Sequence, residues 1–186
     1  VLTVVKKVKP QLIISCLKGS FDAQVACHKH LVDYILNFDC RLMFISSTNV
    51  FDAFEHYPSY EYDKTLSESP YGRFKIKIEN SLLSLTPSKY VIARLPMVFG
   101  TNAPRTKEIE AHVASGIPIE VFPNTIVNVT SDRKLSQQVH YIINQKLTGI
   151  FHLGSSDLIT HFDFIKRIVS RRKLKGAVFK QIFTTN

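Results

Sequence analysis

Two apolar runs, Leu12-Ile-Ile-Ser-Cys16 and Leu42-Met-Phe-Ile-Ser46, and the segment 21–38 between them decide the fold class. The first run follows Pro10 and gives way to the turn-like Lys18-Gly19-Ser20, so it reads as a short buried strand. The second has the same length and character. From Phe21 to Phe38, Val25, Cys27, Leu31, Val32, Ile35 and Leu36 recur at helical spacing, with Lys29 and Asp33 on the intervening positions. A strand, an amphipathic helix and a second buried strand make a parallel βαβ unit.

The same alternation continues outward. Ser69 and Pro70 suit the N-cap and first turn of a helix that places Phe74, Ile78 and Leu82 on one face. Tyr90 to Leu95 is a third strand and Ile150 to Leu153 a fourth, with helical patterns over about 105–115 and 131–146 between them. Thr160-His-Phe-Asp163 resembles a capping box ahead of a last helix carrying Phe164, Ile165, Ile168 and Val169. The expected fold is an open α/β sheet with flanking helices. Ligands of such sheets lie beyond the carboxyl ends of the strands, which narrows the candidates to 16–19, 46–50 and 94–100. The longest irregular stretch, 52–70, is of a length that is usually functional or mobile.

Composition agrees with a globular domain: 45% of the 186 residues are hydrophobic and 21% charged. No apolar run approaches the roughly 20 residues of a membrane span. The amino terminus carries no secretory leader pattern, so the expected location is cytoplasmic. Cys16, Cys27 and Cys40 form no C-x-x-C pair and are read as reduced. The formal charge of +9 gathers at Lys6, Lys7 and Lys9 and at Arg171 to Lys175. Solvated charge accounts for it, and no zinc-finger, RNP or helix-turn-helix signature points to nucleic acid. A basic field also favours arrival of an anionic small substrate.

Chemistry concentrates in Tyr71-Gly-Arg-Phe-Lys75, a phenol and an ammonium at i and i+4 on a helix. A cation beside a phenol favours the phenolate and lets a tyrosine exchange protons near neutral pH. The spacing alone is weak, since an ordinary surface pair gives it too; Tyr60-Glu-Tyr-Asp-Lys64 repeats it in an acidic loop where no helix would align the side chains. Ser46-Ser-Thr-Asn-Val-Phe-Asp52 at the end of the second strand adds hydroxyls at the same crevice.

In this order, strand, Ser-Ser, loop and helical Tyr-x-x-x-Lys resemble the extended short-chain dehydrogenase/reductase family. Val50-Phe51-Asp52 is most similar to the branch containing dTDP-4-dehydrorhamnose reductase. Ala93-Arg-Leu-Pro-Met-Val-Phe-Gly100, Gly116-Ile-Pro-Ile-Glu-Val-Phe122 and Gly149-Ile-Phe-His-Leu-Gly154 resemble later segments of that family, so the likeness spans nearly the whole chain. It implies a Rossmann-type parallel sheet whose N-terminal, glycine-rich portion is absent, with a small C-terminal substrate lobe. Residues 1–100 would be the partial dinucleotide-binding core and 101–186 a mixture of substrate lobe and returning Rossmann elements.

The resemblance also implies roles. Ser47, Tyr71 and Lys75 would be catalytic, transferring hydride and proton between NAD or NADP and a nucleotide-linked or other keto-sugar. Cys16, Leu17, Lys75 and Pro96 would lie along the cofactor, and Thr48, Asn49 and Met97 would meet the sugar. Bland roles compete: strand-end capping for Ser46 and Ser47, turn formation for Thr48 and Asn49, core or turn duty for Cys16, Leu17 and Pro96. No G-x-G-x-x-G occurs, the connection after Cys16 is short, and Gln24 stands where relatives carry asparagine. These departures keep two alternatives open, a non-catalytic nucleotide-binding or regulatory subunit of the same fold and an NAD-dependent sugar-nucleotide epimerase. Thr48-Asn49 lacks the Asp-Glu pair of the family's dehydratases. A homodimer through the helices from Phe21 and Tyr71 is compatible with the resemblance. His28 and His30 sit two apart on a helix, where rings diverge, and His56, His112, His140, His152 and His161 lack ligand spacing, so no metal is expected.

Overall fold

Strand β1 (Leu12–Ser15) pairs with β2 (Arg41–Ser47), β2 with β3 (Tyr90–Leu95), and β3 with β7 (Gly149–His152), all parallel. The computed structural model describes residues 1–53, 58–100 and 103–183. The chain divides into two compact units, Val1–Leu95 with His140–Leu153, and Pro96–Val139 with Gly154–Asn186. Sequence alone placed the division at 100; residues 96–100 go with the second unit, and 140–153 are elements that return to the first.

In the first unit the apolar strands lie where their lack of alternation requires. Leu42, Met43 and Phe44 of β2 and Val91, Ile92 and Ala93 of β3 are all buried. Helix α1 (Leu2–Val8), unassigned from sequence, ends on Lys9 in the left-handed conformation and buries Val5. Helix α2 (Phe21–Asn37) starts at Ser20, whose hydroxyl accepts from the Ala23 N–H, and buries Val25, Leu31, Val32 and Ile35. Helix α3 (Pro70–Leu83) buries the expected Phe74, Ile78 and Leu82. These side chains share one core with Leu42, Phe44 and Ile92.

His28 is tied into this core. Its Nδ1 donates to the Gln24 carbonyl at 2.6 Å, so its Nε2 accepts from Ser15 Oγ at 2.9 Å. Burial holds its basicity below the ordinary histidine value, outweighing the Gln24 bond. Gln24 Nε2 reaches back to the Gly19 carbonyl at 2.9 Å and braces the short β1–α2 connection.

The second unit departs from a purely parallel pattern. β4 (Met97–Phe99) runs parallel to β6 (Ile126–Ser131), which pairs antiparallel with β8 (Leu158–Thr160), and β5 (Ile119–Val121) pairs with β9 (Phe179–Gln181). Most of these strands are three residues long, too short for a period of two to show in sequence. Helices α4 (Pro104–Ala114), α5 (Asp132–Asn144) and α6 (His161–Arg171) complete the chain. Ser131 caps α5, and Thr160 caps α6 in the expected box, accepting from the Asp163 N–H and donating to its carboxylate. Ile109, Ile119, Val121, Phe164 and Ile165 form a core of their own. No helix among the described residues is long and apolar enough to cross a membrane.

Candidate functional site

β2 ends at Ser47, which also caps the 3₁₀ turn Thr48–Phe51. The Ser47 hydroxyl accepts from the Asn49 N–H at 3.2 Å and donates to Asn49 Oδ1 at 2.8 Å. Short polar side chains make such turns at strand ends because they can satisfy backbone groups the sheet no longer pairs. Neighbouring Ser46 projects the other way and donates to Glu79 Oε1 at 2.5 Å.

The start of α3 is locked to this turn. Ser69 Oγ accepts from the Gly72 N–H at 3.0 Å and donates to Asp52 Oδ2 at 2.5 Å, while Asp52 Oδ1 accepts from the Glu68 N–H at 2.8 Å. Burial pushes the Asp52 carboxyl up, but hydrogen bonds from Ser69, Ser67 and Glu68 outweigh it and hold the group below the ordinary carboxylate value. Gly72 has no room for a side chain: a Cβ there would collide with Ser67 Oγ and the Asn49 carbonyl. The first turn of α3, Tyr71 included, is thereby held against the residues that follow Ser47.

Tyr71 and Lys75 then diverge in exposure. Tyr71 is 40% exposed, its ring edge-on to Phe74 and Phe21, and its hydroxyl makes no hydrogen bond among the described residues. Lys75 is 7% exposed and donates from Nζ to the Ile45 carbonyl at 2.8 Å. That nitrogen lies 4.7 Å from the Phe44 ring centre, 5.1 Å from Phe74 and 5.7 Å from Tyr71. Burial lowers its pKa to about 8, against the opposing pull of Glu79 and Cys16. The ammonium therefore persists at neutral pH beside an open phenol.

A profile of the RmlD substrate binding domain matches residues 18–185. The chain belongs to that family. None of the curated proteins matches it significantly. Among solved structures, a dTDP-4-dehydrorhamnose reductase from Clostridium acetobutylicum superposes with a TM-score of 0.81 at 22% identity, covering 99% of this chain and 69% of that one. The dTDP-4-dehydrorhamnose reductase of Bacillus anthracis, solved with NADP, gives 0.81 at 21% identity, covering 98% and 69%. The dTDP-glucose 4,6-dehydratase of the same organism, solved with NAD, gives 0.82 at 12% identity, covering 100% of this chain and 64% of its own. At these identities the likeness establishes the fold.

Within this RmlD-family chain, Ser47, Thr48, Asn49, Tyr71 and Lys75 gather at the carboxyl end of β2 and the amino end of α3. Cys16 and Leu17 follow β1 and are exposed, with Cys16 near enough to act electrostatically on Lys75. Pro96 and Met97 belong to the second unit, where Met97 opens β4 and packs on that unit's core.

Sequence reasoning missed the buried charges behind the site. Glu79 is fully buried one turn beyond Lys75, and it accepts from Arg94 Nη2 at 2.8 Å and Nε at 3.2 Å as well as from Ser46. Arg94 Nη1 donates to the Glu61 carbonyl at 3.0 Å and to His152 Nε2 at 3.3 Å, and the guanidinium lies 4.8 Å from the Phe51 ring. The His152 N–H donates to Glu61 Oε1 at 3.1 Å, which pins the 52–70 loop to β7. Residues 54–57 of that loop, with His56, lie outside the described residues. The available signal was the spacing 71, 75, 79, which puts Glu79 on the same helical stripe as Tyr71 and Lys75.

Proposed function

We propose that this chain forms part of an NAD(P)-dependent reductase that acts on a keto-sugar carried by a nucleotide. The carrying observation is the pair on α3, an open phenol at Tyr71 and a buried, protonated ammonium at Lys75, locked beside the strand end that bears Ser47. Family membership supports the same reading.

The residues fit the nicotinamide-ribose half of such a cofactor. Lys75 uses one of its three donors on Ile45, and the other two suit sugar hydroxyls. Exposed Leu17 and Cys16 offer an apolar ledge at the end of β1. When bound, the nicotinamide supplies the hydride. Tyr71 delivers the proton to the keto oxygen, since its hydroxyl has no competing partner among the described residues. Ser47 steadies that oxygen by turning its donated hydrogen bond from Asn49 Oδ1 to the substrate. Lys75 holds positive charge close to the phenol while the proton leaves.

In the intact protein, Tyr71→Phe is expected to lower kcat for NAD(P)H-dependent reduction of a dTDP-4-keto sugar by roughly 10²-fold or more, with an unchanged circular dichroism spectrum. Wild-type turnover in that variant would overturn the reading. A second reading, a non-catalytic nucleotide-binding subunit, draws on one observation: the Ser47 hydroxyl is already engaged by Asn49 as both donor and acceptor. Saturable keto-sugar reduction by the wild-type protein would dismiss it.

A further inference from the structure

Ile45, Ser46 and Ser47, consecutive residues at the end of β2, are each tied down differently. The Ile45 carbonyl accepts from Lys75 Nζ at 2.8 Å, Ser46 Oγ donates to Glu79 Oε1 at 2.5 Å, and Ser47 Oγ serves the turn that follows. Lys75 and Glu79 are one helical turn apart, so two successive turns of α3 are fastened to two successive residues of the strand. Glu79 is gripped in turn from β3. Arg94, the register partner of Ser46, donates from Nη2 to Oε2 at 2.8 Å and from Nε to Oε1 at 3.2 Å. Its remaining nitrogen, Nη1, is held by the Glu61 carbonyl and His152 Nε2, which keeps the guanidinium from turning away from the carboxylate.

Stability alone does not account for this pair. Glu79 and Arg94 are both fully buried, and an ion pair taken out of water often gains nothing over apolar side chains of the same volume. What the pair does supply is a fixed carboxylate one turn from an ammonium that burial otherwise disfavours. The titratable groups facing Lys75 are Tyr71 and Glu79 on its own helix, Cys16 after β1 and His28 on α2. Burial lowers the basicity of His28 as well, and Glu79 exerts the largest pull towards a protonated Lys75.

We infer that Glu79 is the positioning residue of this site: through Ser46 and Arg94 it fixes α3 on the end of β2, and its carboxylate keeps the Lys75 ammonium charged beside Tyr71. Glu79 touches neither the phenol nor the strand-end hydroxyl of Ser47 and acts only through its neighbours. For its chemical consequence the inference rests on the reductase reading; the coupling between Glu79 and Lys75 is measured without it.

The direct test is the titration of Lys75 in the intact protein, followed by NMR through the Cε resonance of labelled lysine and assigned by loss of that signal in Lys75→Met. Glu79→Gln removes the charge but keeps the shape and an acceptor for Ser46, and should move the Lys75 midpoint down by about one pH unit. Glu79→Gln/Arg94→Met leaves no buried charge unpaired, should move the midpoint the same way, and decides the matter where the single change does not fold. An unmoved midpoint in the folded variant would overturn the inference. Turnover supplies the second readout. With the wild-type midpoint at about 8, a one-unit fall lowers the protonated fraction about fivefold at pH 8 and hardly at all at pH 6, and the kcat of Glu79→Gln should fall in that proportion. An equal loss at both pH values would overturn the inference too, since a merely structural defect acts at every pH. No keto-sugar reduction by the wild type, with the midpoint moved as expected, would instead dismiss the reductase reading alone.

Discussion

Lys75 carries a proton where a proton is expensive. Its pKa of about 8 in the folded protein lies below the 10.5 of a free lysine, with burial as the main cause. Below about pH 8 both folded and unfolded chains hold the proton, so the full cost of burying charge is felt. Between about 8 and 10.5 the unfolded chain binds more protons than the folded one, and stability rises with pH on this account. Denaturant midpoints of the wild type should therefore gain, relative to Lys75→Met, between pH 7.5 and pH 10; parallel curves would refute this. If the proposed chemistry holds, keto-sugar reduction should fall over the same interval, because the Lys75 ammonium it uses is lost there. Tyr71 and Lys75 were legible in sequence because one helical period puts them on one stripe. Glu79 was not, because a carboxylate on a helix reads as solvated until Arg94 on a neighbouring strand is known to meet it.

At the level of elements, the junction between the Thr48–Phe51 turn and α3 sets the geometry of the site. Ser69 and Pro70 announced the helix start in sequence, and the structure places the cap there. Hidden from sequence was Gly72, which is buried with Ser67 and the Asn49 carbonyl against its Cα. A glycine inside a helix ordinarily lowers stability relative to alanine. Here the sign reverses: Gly72→Ala forces a methyl group onto backbone, and overpacking of this kind costs about 1–3 kcal/mol. Urea unfolding of Gly72→Ala should show that loss; a stabilised variant would mean that α3 is not pressed against the turn. The cost falls on the turn that orients Tyr71, so kcat should drop in the same variant.

Across the whole molecule, the parallel sheet was readable because its central strands β2 and β3 are buried on both faces and carry apolar runs; β1, expected to be buried as well, is an edge strand that leaves Ile14 exposed, because only one of its sides is covered by β2. The second unit was not readable to the same degree. Its three-residue strands leave no periodic trace, and its mixed pairing follows from tertiary contact alone. The formal charge of +9 is a property of the whole chain and acts at a distance. Raising salt shortens the Debye length from about 10 Å at 0.1 M to about 3 Å at 1 M, which switches off steering of anions. Over that range kcat/KM for an anionic nucleotide sugar should fall while kcat holds; an insensitive kcat/KM would show that the positive charge is only solvated surface. The interleaved order of the two units has a further consequence for biosynthesis. Strand β7 is the partner of β3, yet it leaves the ribosome only after residues 96–139 have emerged. Until Gly149 is translated, β3 waits as an open hydrogen-bonding edge, a window in which a nascent chain is prone to misassociate. A stalled polypeptide ending before Gly149 should thus depend more on chaperones than one ending after Leu153.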